Sequence, residues 1–375
     1  MHIDPKQAGD HVLAGMRNIC SPEVKGAHDS DFLIHDGKAY MVYMANNERL
    51  GEQPDWPFVY SALSIVDLAS NRVEKTVTFA ASEMHYDNDA LPVGACFCPR
   101  IVQKDHRTLR CFFASEDIGK RQSQTWRIDY HLESGRFNRQ IHRVELATAR
   151  GVFPMEPIHL YRHAQAEGFA GTEPTHGLYI HGSLKHFDGR PCAVLTIFPE
   201  GPLALAELTH DMTRFTVLGT FFRPVGTWLN EAAVNRMPDG TYLAISREEK
   251  RGSNYMFATS LDGRTWSDHQ YRGWVPNGTS SKPLLDHFGD WYYMGWNEAT
   301  RINGAFRSVF NIDVSRDGMN WTRKYRFESE RSFQYPTLHD DGRSIFLAVT
   351  QGERSDDHHS GKQRIMFGKL EEIGI

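Results

Sequence analysis

The chain has 375 residues with 47 acidic against 42 basic side chains, a net charge of -5 and a pI near 6.4, which gives no basic footprint for nucleic acid and excludes that partner. A hydrophobic fraction of 40% with 12% aromatics supplies a large core. No apolar run reaches the roughly 20 residues that cross a bilayer, so no membrane partner is expected.

The N-terminus, MHIDPKQAGDHVLAGMRN, lacks the apolar stretch of a secretory signal. The five cysteines, Cys20, Cys96, Cys98, Cys111 and Cys192, are odd in number and fit a reducing compartment. A cytoplasmic protein is expected, unless a signal has been trimmed away. Cys96-x-Cys98 has no second pair at zinc-ligand spacing and reads as buried strand cysteines.

In chain order the sequence is short apolar runs rich in Val, Ile, Tyr, Phe and Trp, punctuated by Gly, Asp and Pro, which is strand and turn almost throughout. Six segments share one pattern: 28–43, 97–113, 155–163, 230–246, 281–296 and 334–349. Each has a small residue or proline, then an apolar strand, and usually a polar turn and a second strand. Their equivalent positions are Asp31, Pro99, Pro157, Ala232, Pro283 and Pro336. The spacing suits four-stranded blades of about 40 to 60 residues, with insertions in the early and middle ones. The reading is all-β: a single β-propeller domain over 1–375, built from four-stranded antiparallel blades, six in preference to seven or five. Residues 1–27 and the terminal RIMFGKL then complete or close the end blades, so that no strand edge is left free.

The run 229–266 repeats a turn found again later. Ser260-x-Asp262-Gly263-x-x-Trp266 and Ser315-x-Asp317-Gly318-x-x-Trp321 share one Asp-Gly turn with a fixed Trp offset. Such turns join antiparallel strands, with the Asp accepting backbone amides and the Trp packing between sheets. They are assigned a structural role on outer-strand turns.

These turns, the Glu231-to-Arg247 spacing and the repeat count resemble the sialidase-like (Asp-box, BNR-repeat) β-propeller superfamily. The resemblance implies that Glu231 partners a tyrosine nucleophile, Tyr335 in SFQYPTL. It also implies that Arg247 and Arg307 are two of three arginines gripping a substrate carboxylate. The first blade departs from the pattern: Ala27-His28-Asp29-Ser30-Asp31 stands where an Arg-Ile-Pro motif would, and that triplet occurs nowhere in the chain. Histidine at the head of the first blade is similar to propeller enzymes that cleave rhamnosyl-glucuronate or ulvan-type linkages.

The residues carry the same chemistry without the family. Positions just before the blade starts lie near the propeller mouth, and there the chain supplies Asp29, Ser30, Cys98, Glu156, Glu231, Lys282 and Tyr335, with Arg100 just after. Carboxylates, a phenol and cations around one funnel suit glycosidic cleavage, which needs a proton donor for the leaving oxygen and a group to attack or stabilise the anomeric carbon. A phenol is a poor nucleophile at its free pKa near 10, and Glu231 can take its proton. Tyr335, Glu231, His28 and Asp29 are the candidate catalytic residues. Arg247, Arg307, Arg100, Glu156, Lys282 and His181 are the candidate substrate contacts, His181 if its strand is innermost. His358 and His359 after Asp356 and Asp357 read as a solvated loop, because neighbours on a strand point to opposite faces. No cofactor or catalytic metal is implied, and a structural calcium stays open.

The function expected is an exo-acting glycoside hydrolase on an acidic, uronate- or sialate-like glycan, its partner an oligosaccharide or glycoside. A polysaccharide lyase that abstracts a uronate C5 proton through His or Tyr is the alternative, and a non-catalytic carbohydrate-binding propeller the third.

Overall fold

The computed structural model describes residues 3–53, 56–120, 122–174, 176–198, 201–221, 227–250, 254–353 and 361–373. Six antiparallel sheets follow one another along the chain as the blades of a β-propeller. Blade I comprises Gly26–His35, Lys38–Asn46, Tyr60–Asp67 and Arg72–Ala80. Blade II runs through Cys96–Asp105, Thr108–Asp117 and Gln122–His131 to the short outer strands Arg136–Phe137 and His142–Arg143. Blade III is Leu178–Phe187, Arg190–Ile197, Leu203–Leu208 and Arg214–Phe221, widened by Glu145–Thr148, which pairs in parallel with Arg214–Phe221, and by Gly151–Pro154. Blade IV is Leu229–Arg236, Tyr242–Glu248 and Tyr255–Ser260, edged by a bridge between Phe257 and Gln270. Blade V is Leu284–Phe288, Trp291–Asn297, Val309–Ser315 and Thr322–Glu328. Blade VI is Phe333–Asp340, Ser344–Gly352 and Gln363–Glu372.

The first strand of every blade touches the first strands of the blades on either side, and that of blade I also touches that of blade VI, so the ring is closed. Closure is finished by the N-terminal Arg17–Asn18, which pairs with Phe367 and Met366 as the outermost strand of blade VI. The free edge of the last blade is thereby covered.

Between blades the apolar faces interlock: Val102 and Phe112 of blade II meet Leu178, Ile180 and Phe215 of blade III in one buried cluster. Fully burying one such side chain contributes about 1.5 to 3 kcal/mol, and these inter-blade layers are what hold the ring together.

Of the six expected blade starts, Asp31, Pro99, Ala232 and Pro336 fall on inner strands and Pro283 immediately precedes one, whereas the third, Pro157, does not. Residues 157–166 form a helix, Pro157–Ala166, and the inner strand of blade III is Leu178–Phe187. The physical signal was there: Pro157, Leu160, Tyr161 and Ala164 are buried at the i, i+3, i+4, i+7 spacing of a helix face, with proline at its first position. A second helix, Pro5–Gly15, is capped by Asp4, whose side chain accepts from the Lys6 and Gln7 amides. It packs on the outer strand of blade V, where Gly9 is pressed so close that an added Cβ would lie 2.2 Å from the Arg326 carbonyl oxygen.

The two Asp-Gly turns join third to fourth strands of blades IV and V, away from the axis. Asp262 accepts from the Arg264 and Thr265 amides at 2.8 and 2.9 Å, Asp317 from Met319 and Asn320 at 2.8 Å each, and both tryptophans donate back to the turn glycine. The 356–359 stretch lies outside the described residues.

Candidate active site

The mouth is built by one recurring irregularity. In the inner strands of blades I, II, III, IV and VI the register shifts at the same point: between His28 and Asp31, Phe97 and Arg100, His181 and Lys185, Leu229 and Ala232, and Gln334 and Thr337. Such bulges re-aim side chains out of the strand alternation. Asp29, Cys98 and Tyr335 take left-handed backbone there, with φ of 50, 48 and 52°, as does Gly182 at 81°. A non-glycine residue in that region costs on the order of 1 kcal/mol or more, strain that clusters at functional sites.

Glu231 sits in the blade IV bulge, 1% exposed. The hairpin turn at 238–240 returns the chain so that Arg247 lies beside it, and Arg247 Nη1 donates to Glu231 Oε2 at 2.8 Å. From blade VI the Tyr335 hydroxyl donates a hydrogen bond to Glu231 Oε1. Arg247 Nη1 is also 3.4 Å from the Tyr335 oxygen, and its Nη2 pairs with Glu249. Arg307 joins from blade V. Arg247 Nε donates to Ser280 Oγ and Arg307 Nε to the Ser280 carbonyl, both at 2.8 Å, so the two guanidiniums converge on one residue. Among the described residues no carboxylate lies within ion-pair distance of Arg307, which is 6% exposed.

Burial pushes the Glu231 carboxyl up, but Arg247, His181 and the hydrogen bonds from Tyr335 and Arg247 outweigh it and hold it at about 2. Burial, and then Glu231 itself, push the Tyr335 phenol well above its usual value, so the shared proton rests on the tyrosine. Burial and the nearby Arg247 lower Arg307.

Blade I brings two neighbouring residues to different uses. Asp29 is clamped between Arg100 Nη2 and Lys282 Nζ, each at 2.7 Å, and all three are essentially inaccessible. Burial works against its charge, yet Arg100 and then Lys282 keep it anionic far below the ordinary carboxylate range. It is therefore a poor proton donor, and with Arg100 and Lys282 it braces the floor of the pocket across blades I, II and V. His28 instead stacks edge-on to the Tyr335 ring at 4.1 Å between centroids, with Nε2 3.0 Å from Glu52 and Nδ1 without a hydrogen-bond partner among the described residues.

The inner strand of blade III carries His181, whose Nδ1 is 3.9 Å from Glu231. Burial, with help from Lys282 and Arg100, lowers this imidazole to about 4, against the pull of Glu231 and Asp29. Glu156 is not brought to the mouth: it heads the helix Pro157–Ala166, 3.8 Å from His159.

His28, Asp29, Glu231, Tyr335 and His181 thus line one cavity of about 100 Å³. Cys98 lines it as well, and residues outside the candidate set complete it: Glu52 from the loop after the second strand of blade I, Met44, Phe97, Tyr179, His176 and Phe198.

No protein-family model matches the sequence, and no curated protein does either. The fold is similar to solved propellers. A protein of unknown function from Dyadobacter fermentans aligns over 96% of this chain and 99% of its own, with a TM-score of 0.65 at 11% identity. The Trypanosoma rangeli sialidase solved with sialic acid aligns over 94% of this chain with a TM-score of 0.61 at 12% identity. The same sialidase with 2,3-difluorosialic acid, described as a covalent intermediate, gives 0.61 at 11% over 92%. This chain spans about half the length of that sialidase, 55 and 54% in the two structures. At these identities the likeness is one of fold.

Proposed function

We propose that the protein is a carbohydrate-active enzyme, an exo-acting glycoside hydrolase that cleaves a terminal acidic sugar with a covalent intermediate on Tyr335. One observation carries this reading: the Tyr335 hydroxyl donates to Glu231 while Arg247 reaches both, beside an Arg307 with no carboxylate at ion-pair distance among the described residues. A buried guanidinium with neutral partners favours an anionic ligand, and the planar fork suits a carboxylate.

In the chemistry proposed, the substrate carboxylate binds Arg307 and Arg247. The new anion loosens the hold of Arg247 on Glu231, which raises the basicity of Glu231 when substrate is bound. Glu231 takes the phenolic proton as Tyr335 Oη attacks the anomeric carbon, and the bond to the leaving oxygen breaks as His28, backed by Glu52, supplies its proton. Water then attacks the tyrosyl-sugar bond, gives its proton to His28, and Tyr335 recovers its own from Glu231. The fold likeness to a sialidase is compatible with this course.

A lyase is the second reading. It is favoured by His28, whose Nδ1 has no hydrogen-bond partner among the described residues and whose ring lies against Tyr335, a pair able to abstract and return protons at a uronate C5. Incubation with sialyl and uronosyl oligosaccharides, followed at 235 nm and by reducing-end release, separates the two. Hydrolysis gives new reducing ends without absorbance, whereas elimination gives a conjugated chromophore. Absence of both with every acidic glycan tried leaves a binding propeller and overturns the enzyme reading.

A further inference from the structure

The cavity has one apolar wall. Glu231 and Tyr335 line it from blades IV and VI and His28, Asp29 and Glu52 from blade I, whereas Met44, Phe97, Tyr179 and Phe198 form a wall of mainly aromatic side chains from blades I, II and III. The Phe97 and Tyr179 rings are 4.9 Å apart, inclined at 55°, and both pack in a buried cluster with Met44 that Phe58 backs from behind. Phe198 stands at the lip, 37% exposed. At the foot of this wall is His181, 5% exposed, and neither of its ring nitrogens has a hydrogen-bond partner among the described residues.

An apolar wall with an unsatisfied buried donor and acceptor at its base is matched by a ligand having one apolar face and a polar edge. Sugar rings have that build: axial C–H groups lie against aromatic faces while the equatorial hydroxyls reach sideways to polar groups. Neutral His181 offers one N–H and one lone pair, the two roles a hydroxyl pair can meet. We propose that blades I to III form a second subsite for a neutral hexose ring, stacked on Phe198 and Tyr179 with a hydroxyl on His181. Its assignment as the leaving-group sugar rests on the hydrolase reading, because the proposed proton donor His28 and its neighbour Glu52 line the same cavity as this wall. Its existence does not.

The test is direct binding, without turnover. Lactose, cellobiose and methyl α-L-rhamnoside are titrated into the full chain by NMR, alongside D-glucuronate and N-acetylneuraminate. At least one neutral sugar binds, Phe198→Ala weakens it threefold or more, Phe198→Trp retains it, and the acids keep their affinity within twofold in both variants. Phe198 is half-exposed, so its truncation leaves folding intact, which the thermal midpoint verifies. Should Phe198→Ala fail to fold, the comparison of Phe198→Leu with Phe198→Trp decides. Failure of all three neutral sugars to bind, or equal loss of acids and neutral sugars in Phe198→Ala, overturns the subsite. If neutral sugars bind by this pattern while no acid does, the subsite stands and the acidic-substrate reading fails.

Discussion

Replacing Tyr335 with phenylalanine removes one oxygen and separates chemistry from architecture. The hydroxyl donates to Glu231, and Glu231 keeps its 2.8 Å bond from Arg247 in the variant, so the buried carboxylate is not abandoned. One lost hydrogen bond to a charged group costs about 1.5 to 3 kcal/mol of stability. At about 2.1 cal/mol/K per residue, the 375 residues give an unfolding entropy of roughly 0.8 kcal/mol/K, so Tm falls by only about 2 to 4 °C. If the phenol is the nucleophile, kcat falls on the order of 10²-fold or more, equivalent to at least about 2.7 kcal/mol of barrier. Calorimetry and initial rates on an acidic aryl glycoside measure both quantities in one preparation. A variant retaining half of wild-type kcat refutes the nucleophile assignment. If His28→Ala then abolishes activity, the chemistry is driven from blade I.

Arg307→Ala should raise KM for an acidic glycoside by about 10- to 100-fold and barely alter a neutral one, following the worth of a charge-assisted bond, and equal losses on both would mark Arg307 as scaffold. His181 is held neutral to about 4 in the fold, whereas an unfolded histidine protonates near 6.5. The unfolded state therefore binds more protons in that interval, and stability should fall by up to roughly 3 kcal/mol as pH drops from about 6.5 to about 4. Glu231, held at about 2, loses its contribution lower still, between about 4.5 and 2. Urea unfolding at pH 7, 5.5 and 4 checks this, and His181→Gln should flatten the upper interval; an unchanged slope contradicts it. Gly9→Ala places a Cβ against the Arg326 carbonyl and should destabilise by about 1 to 3 kcal/mol, read by urea unfolding, with kcat/KM untouched.

What the sequence made legible follows from how local each signal is. Glu231 and Arg247 are two ends of one hairpin, so their spacing and the Pro238-Asp239-Gly240 turn together determine that they meet. The paired Asp-Gly-Trp turns are likewise closed within seven residues each. Tyr335 could be read because the bulge that aims it recurs beside a proline, as it does at Cys98-Pro99. The brace of Asp29 by Arg100 and Lys282 draws on three blades, and no local pattern announces it. Glu52 and Phe198 lie beyond the ends of regular strands, where neither periodicity nor turn chemistry fixes a direction. The helix Pro157–Ala166 was obscured by its own opening, a small apolar run after proline that imitates a blade start.

The central claim is that a sugar is transferred to Tyr335. The most direct measurement is intact-protein and peptide mass spectrometry after incubation with 2,3-difluorosialic acid and with a 2-deoxy-2-fluoro-glucuronosyl fluoride, which slow the second step of retaining cleavage. The account predicts the mass gain of one fluorosugar on the peptide containing Tyr335, absent in Tyr335→Phe and in protein pre-loaded with competing acid. An adduct on any other residue, or turnover of these reagents by Tyr335→Phe at the wild-type rate, contradicts it.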